Sequence, residues 1–317
     1  MSSRALPAGS SAPLVSVSIT AFNSEKWLSR ALDSVLLQRT DFPIEIVIGD
    51  DCSADGTIAI ARSYRERNPT LIRVLERSEN LGMQRNFYDT FEQCRGKYIA
   101  WLDADDYWTG PEKLAIQAQL MESDPSISAC GHFVRWVTPD GEVRRERSPS
   151  KSPGRYGLEE IIRHNFLPSP SIVFRNGIHR ELPKWFVDIT GLVDWAVLVL
   201  AALAGDVVLI DRVMADYMLT PGSAYMSKGP EYQERMDVRF CEQMENILPS
   251  EFRRLARAAK GKRYEGLAFV LRQQGDSTAS REAALKAFRS PFLRDNFTSK
   301  TKALLAAWLS EPDSKLR

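Results

Sequence analysis

Residues 97–106 read KYIAWLDADD, an apolar stretch that ends in three aspartates. The apolar and aromatic residues of Lys97–Leu102 predict a buried β-strand, and Asp103, Asp105 and Asp106 follow at its carboxyl end. Adjacent carboxylates repel one another unless a cation neutralises them, and Mg²⁺ or Mn²⁺ binds carboxylate and phosphate oxygens together. The stretch therefore predicts a site for Mn²⁺ or Mg²⁺. The alternative, an acidic N-cap for the following helix, stays open.

Strands and helices alternate along the first third of the chain. The predicted strands are Leu14–Thr20, Ile44–Ile48, Ile72–Leu75 and Lys97–Leu102, and the predicted helices are Glu25–Leu37, Thr57–Arg67, Gly82–Cys94 and Pro111–Glu122. This alternation predicts an α/β fold with a doubly wound, mostly parallel sheet and helices on both faces. Ligands bind beyond the carboxyl ends of such strands. Three polar clusters fall at such ends, namely Thr20–Asn23, Asp50–Asp55 and Asp103–Asp106.

The remaining two thirds of the chain carry weaker patterns. Strands are predicted at His132–Val137 and Ser171–Phe174, and an exposed Pro/Ser/Arg-rich loop is predicted at Thr138–Tyr156. A helix is predicted at Asp194–Ala204, and the apolar stretch Val207–Ile210 follows it. From about Glu231 onward the pattern is helical and charged. We therefore expect a disordered tail at 1–13, a catalytic domain at 14–228 and a helical extension at 229–317.

Composition argues against several classes of function. The 317 residues carry 42 basic and 41 acidic side chains, so the net charge of +1 gives no support to a nucleic-acid partner. Four separated cysteines and three histidines do not form a zinc-binding pattern. The N-terminus lacks the apolar run of a signal peptide, and the longest apolar stretch is too short to span a bilayer. We expect a cytoplasmic protein.

Besides the aspartates at 103–106, two polar clusters supply candidate binding residues. Asp50 and Asp51 end the second strand, where a carboxylate can accept hydrogen bonds from a ribose hydroxyl or a base N–H. The alternative for this cluster is the capped start of the next helix. A third cluster is either a turn with a helix start or a phosphate contact, and it consists of Asn80, Gly82, Arg85 and Asn86.

Four motifs occur in order in the first part of the chain. They are SVSITAFN (16–23), EIVIGDDCSADGT (45–57), NLGMQRNF (80–87) and GKYIAWLDADDYW (96–108). Each is weak alone, but together they resemble the family 2 glycosyltransferases of the GT-A fold, with matching spacing from about Val15 to Leu120. The resemblance implies inverting transfer of a sugar from a nucleoside-diphosphate sugar to an acceptor hydroxyl, with Mn²⁺ or Mg²⁺ as cofactor.

The resemblance also assigns candidate site residues. Asp103, Asp105 and Asp106 would bind the metal, and Asp51 would face the base, which suits uracil or thymine and so a UDP- or dTDP-sugar. The residues expected to bind the nucleotide sugar are Thr20, Ala21, Phe22, Asn23, Asp50, Asp51, Asn80, Gly82, Arg85, Asn86, Asp103 and Ala104.

A later acidic segment supplies the candidate catalytic base. Thr190–Trp195 (TGLVDW) resembles the family motif in which an Asp precedes an aromatic residue on a helix. Inversion requires a base that takes the acceptor proton, and a carboxylate with a raised pKa fits that task. We predict that Asp194 is this base. A simple N-cap for the helix at Asp194–Ala204 is the alternative, and the two roles are compatible.

One segment departs from the family pattern. Where relatives usually have Tyr-Arg-x-His, this chain has Met218 and Thr220 at the Arg and His positions. Because that His often contacts metal or diphosphate, a binding module without catalysis is one alternative function. A sugar nucleotidyltransferase is another, but its Gly-rich phosphate loop is missing after the first strand, since Thr20–Glu25 contains no glycine.

The expected partners are the nucleotide-sugar donor and a glycan or lipid-linked acceptor, in cell-surface polysaccharide or glycoconjugate synthesis. The C-terminal residues include a basic amphipathic pattern, formed by Phe292, Arg294, Phe297, Lys300, Lys302, Leu304, Leu305, Trp308 and Leu309. This pattern predicts either peripheral contact with the inner face of the membrane or packing against the catalytic domain or a second subunit, as in an oligomer.

Overall fold

The first four strands alternate with three helices, as the sequence predicts. The computed structural model describes residues 12–183, 186, 192–220 and 228–291. The first elements are β1 (Val15–Ala21), α1 (Leu28–Leu36), β2 (Ile44–Asp50), α2 (Thr57–Arg67), β3 (Ile72–Glu76), α3 (Met83–Glu92) and β4 (Tyr98–Asp103). The apolar residues of α1 recur at helical spacing, and Leu28, Ala31, Leu32 and Val35 are buried.

The later elements are β5 (Tyr107–Trp108), α4 (Lys113–Ser123), β6 (Ile127–Val137), β7 (Val143–Ser148), β8 (Gly154–Tyr156), α5 (Leu158–Arg163), β9 (Val173–Arg175), α6 (Val193–Ala204) and β10 (Asp206–Met218). Short 3-10 turns lie at Ser169–Ser171 and Ile178–Glu181. The C-terminal helices are α7 (Pro230–Ile247), α8 (Arg253–Gln273) and α9 (Ser277–Arg289).

The strands form one sheet in the order β3-β2-β1-β4-β9-β6-β10-β5, with β7 beside β6 and β8 beside β10. The pairs from β3 to β4 are parallel, and so is β6 with β10. The register aligns Ala21 with Asp50 and Thr20 with Asp103. The carboxyl ends of β1, β2 and β4 therefore meet at one edge, which is where the polar clusters were expected.

Alternation along the strands places helices on both faces of the sheet. Val15, Val17 and Ile19 of β1 belong to one apolar core, which also contains buried residues of α1, α2 and α4. On the opposite face, Trp101 of β4 packs against Phe87 and Phe91 of α3, with ring centroids 4.6 and 4.8 Å apart. The predicted α/β class, with its mostly parallel sheet covered on both sides, is confirmed.

The prediction of a loop at Thr138–Tyr156 was wrong. This stretch contains β7, which pairs antiparallel with β6, and β8, which pairs antiparallel with β10. The residues of β7 are VRRERS, and most of their side chains are exposed. A strand at the border of a sheet needs no apolar alternation, and β7 therefore lacks the sequence pattern by which a strand is predicted. The apolar stretch Val207–Ile210 lies in β10, which extends to Met218.

The chain divides into two compact units. The first consists of Met1–Gly157, Phe166–Glu181 and Val197–Thr220, and it holds the sheet. The second consists of Leu158–Asn165, Leu182–Ala196 and Pro221–Arg317. In the second unit, Leu267 and Leu271 of α8 pack against Ala283 and Ala284 of α9.

Two expected segments fall largely or wholly outside the described residues. They are the tail at 1–13, of which only residues 12 and 13 are described, and the amphipathic pattern from Phe292 onward. Within the described ranges, no helix combines the length and apolarity needed to cross a membrane.

Candidate functional site

The loops that follow β1 and β2 are joined by hydrogen bonds. Asn23 lies in the left-handed region at φ 49°, a conformation that asparagine tolerates better than most residues. Its backbone N–H donates to Ser53 Oγ at 3.0 Å, and its side-chain Oδ1 accepts from the Ala54 N–H at 2.9 Å. Next to it, the Ser24 N–H donates to Thr57 Oγ1 at 2.7 Å. The amide of Asn23 therefore holds this loop in shape, and Phe22 beside it is 50% exposed.

Asp51 connects three segments at the carboxyl edge of the sheet. Its backbone N–H donates to the Ala21 carbonyl at 2.9 Å. Its carboxylate accepts from the N–H of Leu81 at 2.7 Å and from the N–H of Gly82 at 3.0 Å. Asp51 is only 2% exposed. Because a carboxylate has about four acceptor positions, these two bonds leave Asp51 able to accept from a base as well.

The neighbouring predicted residues hold the same loop. The carboxylate of Asp50 accepts from Ser53 Oγ at 2.6 Å and from the Ser53 N–H at 3.2 Å. Asn80 Nδ2 donates to the backbone carbonyl of Asp51 at 3.2 Å. Gly82 has φ 84°, a backbone conformation that favours glycine, and it directly precedes α3.

The last two predicted residues of this cluster lie on α3 and differ in environment. Asn86 is 2% exposed, and its Nδ2 donates to the Gly49 carbonyl at 2.8 Å. The structure thus places Asn86 in the packing between α3 and β2. Arg85 is exposed.

The three aspartates after β4 each have a defined hydrogen-bond partner. Asp103 accepts from Ser169 Oγ at 2.6 Å and from Trp101 Nε1 at 3.1 Å. Asp105 accepts from Thr220 Oγ1 at 2.8 Å, and Asp106 accepts from the Met218 N–H at 2.7 Å. Ala104, between them, donates its N–H to the Thr20 carbonyl at 3.1 Å. The aspartate turn is therefore attached both to β1 and to the end of β10.

Burial, together with neighbouring negative charge at Asp106, alters the acidity of this turn. Burial, followed by the charges of Asp105 and Asp103, raises the pKa of Asp106 well above its usual value. Burial also raises the pKa of Asp105. A nearby cation would relieve both effects, and carboxylates are the hard oxygen ligands that Mg²⁺ and Mn²⁺ prefer. The donor set of the turn therefore fits such a metal.

The geometry of the turn does not by itself form a metal centre. Within residues 12–183, 186, 192–220 and 228–291, no three His, Cys, Asp or Glu side chains form a group that could hold a metal ion. Asp106 is 2% exposed and is the most buried of the three aspartates. The metal role of Asp103, Asp105 and Asp106 stays a prediction.

Sequence reasoning missed an ion pair beside the turn, whose carboxylate is buried. Asp216 of β10 is 1% exposed and accepts from Nε and Nη2 of Arg135, both at 2.7 Å. Tyr107 donates its hydroxyl to the same carboxylate at 2.5 Å, and the Arg30 guanidinium lies 3.4 Å from the centre of the Tyr107 ring. The signal in the sequence was an aspartate within the otherwise apolar stretch VMADYM at the end of β10, since a buried carboxylate requires partners.

Residues 217–220 hold the aspartate turn from the other side. Tyr217 packs near Trp136, with ring centroids 6.2 Å apart. Thr220, at the position where relatives usually have His, directs its hydroxyl to Asp105. The departure from the family pattern therefore lies beside the predicted metal ligands.

Asp194, the predicted base, lies in the first turn of α6 and belongs to the second unit. Its Oδ2 accepts from Asn165 Nδ2 at 2.6 Å. Burial raises the pKa of Asp194, against the opposing effect of its hydrogen bonds. A partly buried carboxylate with a raised pKa can serve as a general base. The base and N-cap roles both stay predictions.

Comparison with known proteins is consistent with the motifs. The model of Glycosyl transferase family 2 matches residues 16–181. The Mycobacterium bovis protein Mb1547 is 33% identical over 204 residues, which cover 64% of this chain and 58% of the relative. This chain therefore matches less than two thirds of that relative's length.

Two solved structures are similar over most of the chain. Staphylococcus aureus TarS 1–349, in complex with UDP-GlcNAc, has a TM-score of 0.57 and 20% identity, and the match covers 92% of this chain and 80% of TarS 1–349. The mannosyltransferase PcManGT of Pyrobaculum calidifontis, in complex with GDP-Man and Mn²⁺, has a TM-score of 0.60 and 18% identity, and the match covers 93% and 81% of the two chains. The likeness shows that the fold is GT-A.

Proposed function

The chain belongs to glycosyl transferase family 2, and from that premise we propose that it is an inverting, metal-dependent glycosyltransferase. It would move a sugar from a nucleoside-diphosphate donor, preferably a UDP- or dTDP-sugar, to a hydroxyl of a glycan or lipid-linked acceptor. The observation that carries the proposal is the meeting of Asp51 and the 103–106 turn at one edge of the sheet, where the register places the ends of β1, β2 and β4 side by side.

The nucleotide would bind where Asp51 fixes the loop at residues 80–82. The N–H groups of Leu81 and Gly82 already bind this carboxylate, so the loop is held in place without a ligand. The remaining acceptor positions of Asp51 suit the N–H of uracil or thymine. This choice of base is the reason for preferring UDP- and dTDP-sugars over GDP-sugars.

The diphosphate would bind beside Asp103 and Asp105, which would hold Mn²⁺ or Mg²⁺ between them. A divalent cation, when bound there, offsets the charge that develops on the departing diphosphate. Ser169 and Thr220 orient the two carboxylates through hydrogen bonds of 2.6 and 2.8 Å. Asp106, buried beneath them, fixes the turn through the Met218 N–H.

Asp194 would take the proton of the acceptor hydroxyl as that hydroxyl attacks the anomeric carbon. The burial that raises its pKa makes this carboxylate a stronger base than an exposed aspartate. Asn165 orients one of its oxygens. Inversion follows from a single displacement, in which the nucleoside diphosphate leaves from the opposite face.

Release of nucleoside diphosphate from a panel of UDP-, dTDP- and GDP-sugars, in Mn²⁺ and in EDTA, tests the proposal. We expect turnover with a UDP- or dTDP-sugar in Mn²⁺ only, and its loss in Asp194→Asn and Asp105→Asn. Asp211→Asn is the matched control, because the Asp211 side chain is 65% exposed. Full activity of Asp105→Asn, or turnover that is the same in EDTA, would refute the metal role.

The second candidate function is nucleotide-sugar binding without transfer. Thr220 favours it: this residue stands where His is expected from the family pattern, and its hydroxyl donates to Asp105. Calorimetry that finds tight binding of a UDP-sugar, together with the absence of turnover on every acceptor tried, would support this alternative.

A further inference from the structure

The 3-10 turn at Ser169–Ser171 connects the aspartate turn to the interior of the first unit. Ser169 is 7% exposed, and its Oγ donates to Asp103 Oδ2 at 2.6 Å. Within the turn, the N–H and the hydroxyl of Ser171 both donate to the Pro168 carbonyl, at 2.9 and 2.7 Å. These internal bonds fix the shape of the turn, but its position relative to Asp103 depends on contacts with other elements.

Two buried side chains supply such contacts by donating to carbonyl groups of the turn. Trp108 of β5 is 4% exposed, and its Nε1 donates to the Pro170 carbonyl at 2.9 Å. Gln117 of α4 is 0% exposed, and its Nε2 donates to the Ser171 carbonyl at 2.8 Å. Because buried carbonyl groups require donors, these two side chains satisfy the turn and attach it to β5 and α4.

Gln117 is an amide on the core-facing side of α4. Its Nε2 also lies 3.4 Å from the Cys130 carbonyl and 3.5 Å from Cys130 Sγ, so the bond to Ser171 is the shortest of the three. Burial of an amide costs free energy that an apolar side chain would not cost at this position. Other residues of α4 in the core are Leu114, Ala118 and Met121. The carbonyl of Ser171 is therefore the group that a glutamine serves here.

We propose that Gln117 and Trp108 are positioning residues for the predicted metal ligand Asp103: they hold the 169–171 turn, and Ser169 of that turn holds one oxygen of the Asp103 carboxylate. Trp101 Nε1 donates to the other oxygen at 3.1 Å, so both oxygens have a donor. This inference rests on the proposed function, in which Asp103 binds Mn²⁺ or Mg²⁺. Hydrogen-bond partners that orient a metal ligand typically raise metal affinity by about 10–100-fold.

The direct test is calorimetric titration of the full chain with Mn²⁺ at a fixed concentration of UDP. We expect Ser169→Ala to weaken Mn²⁺ binding by about tenfold or more. Gln117→Met keeps the length of the side chain but has no N–H group, and it should weaken Mn²⁺ binding by about threefold or more. In the double variant Ser169→Ala/Gln117→Met, the loss should equal that of Ser169→Ala, because Gln117 acts through Ser169.

Ser128→Ala is the matched control in the core. Ser128 is 1% exposed, and its Oγ donates to the Ala201 carbonyl at 2.7 Å near the amino end of β6. The loss of this buried bond should lower the melting temperature without changing Mn²⁺ affinity. Trp108→Phe is the second test variant, should Gln117→Met fail to fold, and it should weaken Mn²⁺ binding because it removes the donor to Pro170.

The indole N–H of Trp101 supplies a second readout, which needs no metal. In the full chain labelled with ¹⁵N at tryptophan, the NMR signal of this group is assigned from Trp101→Phe. Because Trp101 Nε1 donates to Asp103, the signal should move in Ser169→Ala and in Gln117→Met. It should stay in place in Ser128→Ala, whose effect on stability is purely structural.

A Mn²⁺ affinity of folded Gln117→Met equal to that of wild type would overturn the inference. So would a loss in Gln117→Met that is equally large when Ser169 is already alanine. If Asp103→Asn binds Mn²⁺ as tightly as wild type, the metal role in the proposed function fails, and the Trp101 signal alone decides whether α4 orients Asp103. If Asp103→Asn loses Mn²⁺ binding and Gln117→Met keeps it, the inference alone fails.

Discussion

Replacement of Asp51 by asparagine separates the two roles proposed for this carboxylate, which are to hold the loop at residues 80–82 and to bind the base. In the structure it accepts from two backbone N–H groups, Leu81 at 2.7 Å and Gly82 at 3.0 Å, while it is almost fully buried. An amide has one acceptor oxygen, so the variant keeps one of these bonds and turns its NH₂ toward the other N–H. A hydrogen bond to a charged group contributes about 1.5–3 kcal/mol, and an unsatisfied buried donor costs about 1–3 kcal/mol.

We therefore expect Asp51→Asn to lower the free energy of unfolding by about 3 kcal/mol. With an m-value of about 3 kcal/mol/M in urea, the unfolding midpoint should fall by about 1 M. Because the loop at residues 80–82 loses one of its two bonds to this side chain, calorimetry should also show weaker binding of UDP, by about tenfold or more.

Asp89→Asn is the matched control for this experiment. Asp89 lies on α3, its side chain is 47% exposed, and its nearest basic partner, Arg77, is 4.0 Å away. A surface change of this kind alters stability by about 0.5 kcal/mol or less. If Asp51→Asn is no less stable than Asp89→Asn, the reasoning from the two N–H bonds is refuted. Weaker UDP binding at unchanged stability would show that Asp51 contacts the nucleotide but does not stabilise the loop.

Gly82→Ala should lower the free energy of unfolding in urea by about 1–3 kcal/mol, because alanine is strained at φ 84°. This strain would be the whole effect, since no described atom lies within 4 Å of the added Cβ, and unchanged stability would contradict the prediction. Burial lowers the pKa of Lys113 to about 7, whereas the unfolded value is about 10.4, so the unfolded chain binds more protons between these pH values. Between pH 7 and pH 9.5, the free energy of unfolding of wild type should therefore rise by roughly 2–3 kcal/mol more than that of Lys113→Met. The difference is smaller if the Trp108 ring, 4.1 Å away, stabilises the charged form. An equal rise in both proteins would refute the burial argument. Asp106→Asn removes one of the crowded negative charges and still accepts from the Met218 N–H. Without metal, its melting temperature at pH 7 should therefore be about 2 °C or more higher than that of wild type, while the stabilisation by Mn²⁺ with UDP should be smaller. A lower melting temperature without metal would show that the charge of Asp106 does not destabilise the fold.

Periodicity alone predicted the elements that form the parallel half of the sheet. The boundaries of α2 agree with the predicted Thr57–Arg67, because an apolar helical pattern ends at Asn68-Pro69. Periodicity could not predict β7, because this strand pairs with β6 but carries mostly exposed, charged residues. Nor could any local pattern indicate that Leu158–Asn165 and Leu182–Ala196 cluster with the C-terminal helices, since this depends on contacts distant in sequence.

The candidate site was predictable in its position and less so in its contacts. Polar residues at strand ends indicated the edge of the sheet, because parallel strands align their carboxyl ends. That Asn23 would hold the Ser53–Ala54 loop, or that Asn86 would bond to the Gly49 carbonyl, required the register and the packing of α3. The Arg135–Asp216 pair was equally hidden, because its two residues lie 81 positions apart.

Calorimetric titration of the protein with UDP, in Mn²⁺ and in EDTA, most directly tests the claim that the aspartate turn binds a cation and a nucleotide together. We predict that UDP binds in Mn²⁺, and that its affinity falls at least tenfold in EDTA and in Asp105→Asn, about 1.4 kcal/mol, but not in Asp211→Asn. An affinity for UDP that is the same in Mn²⁺, in EDTA and in Asp105→Asn would contradict it.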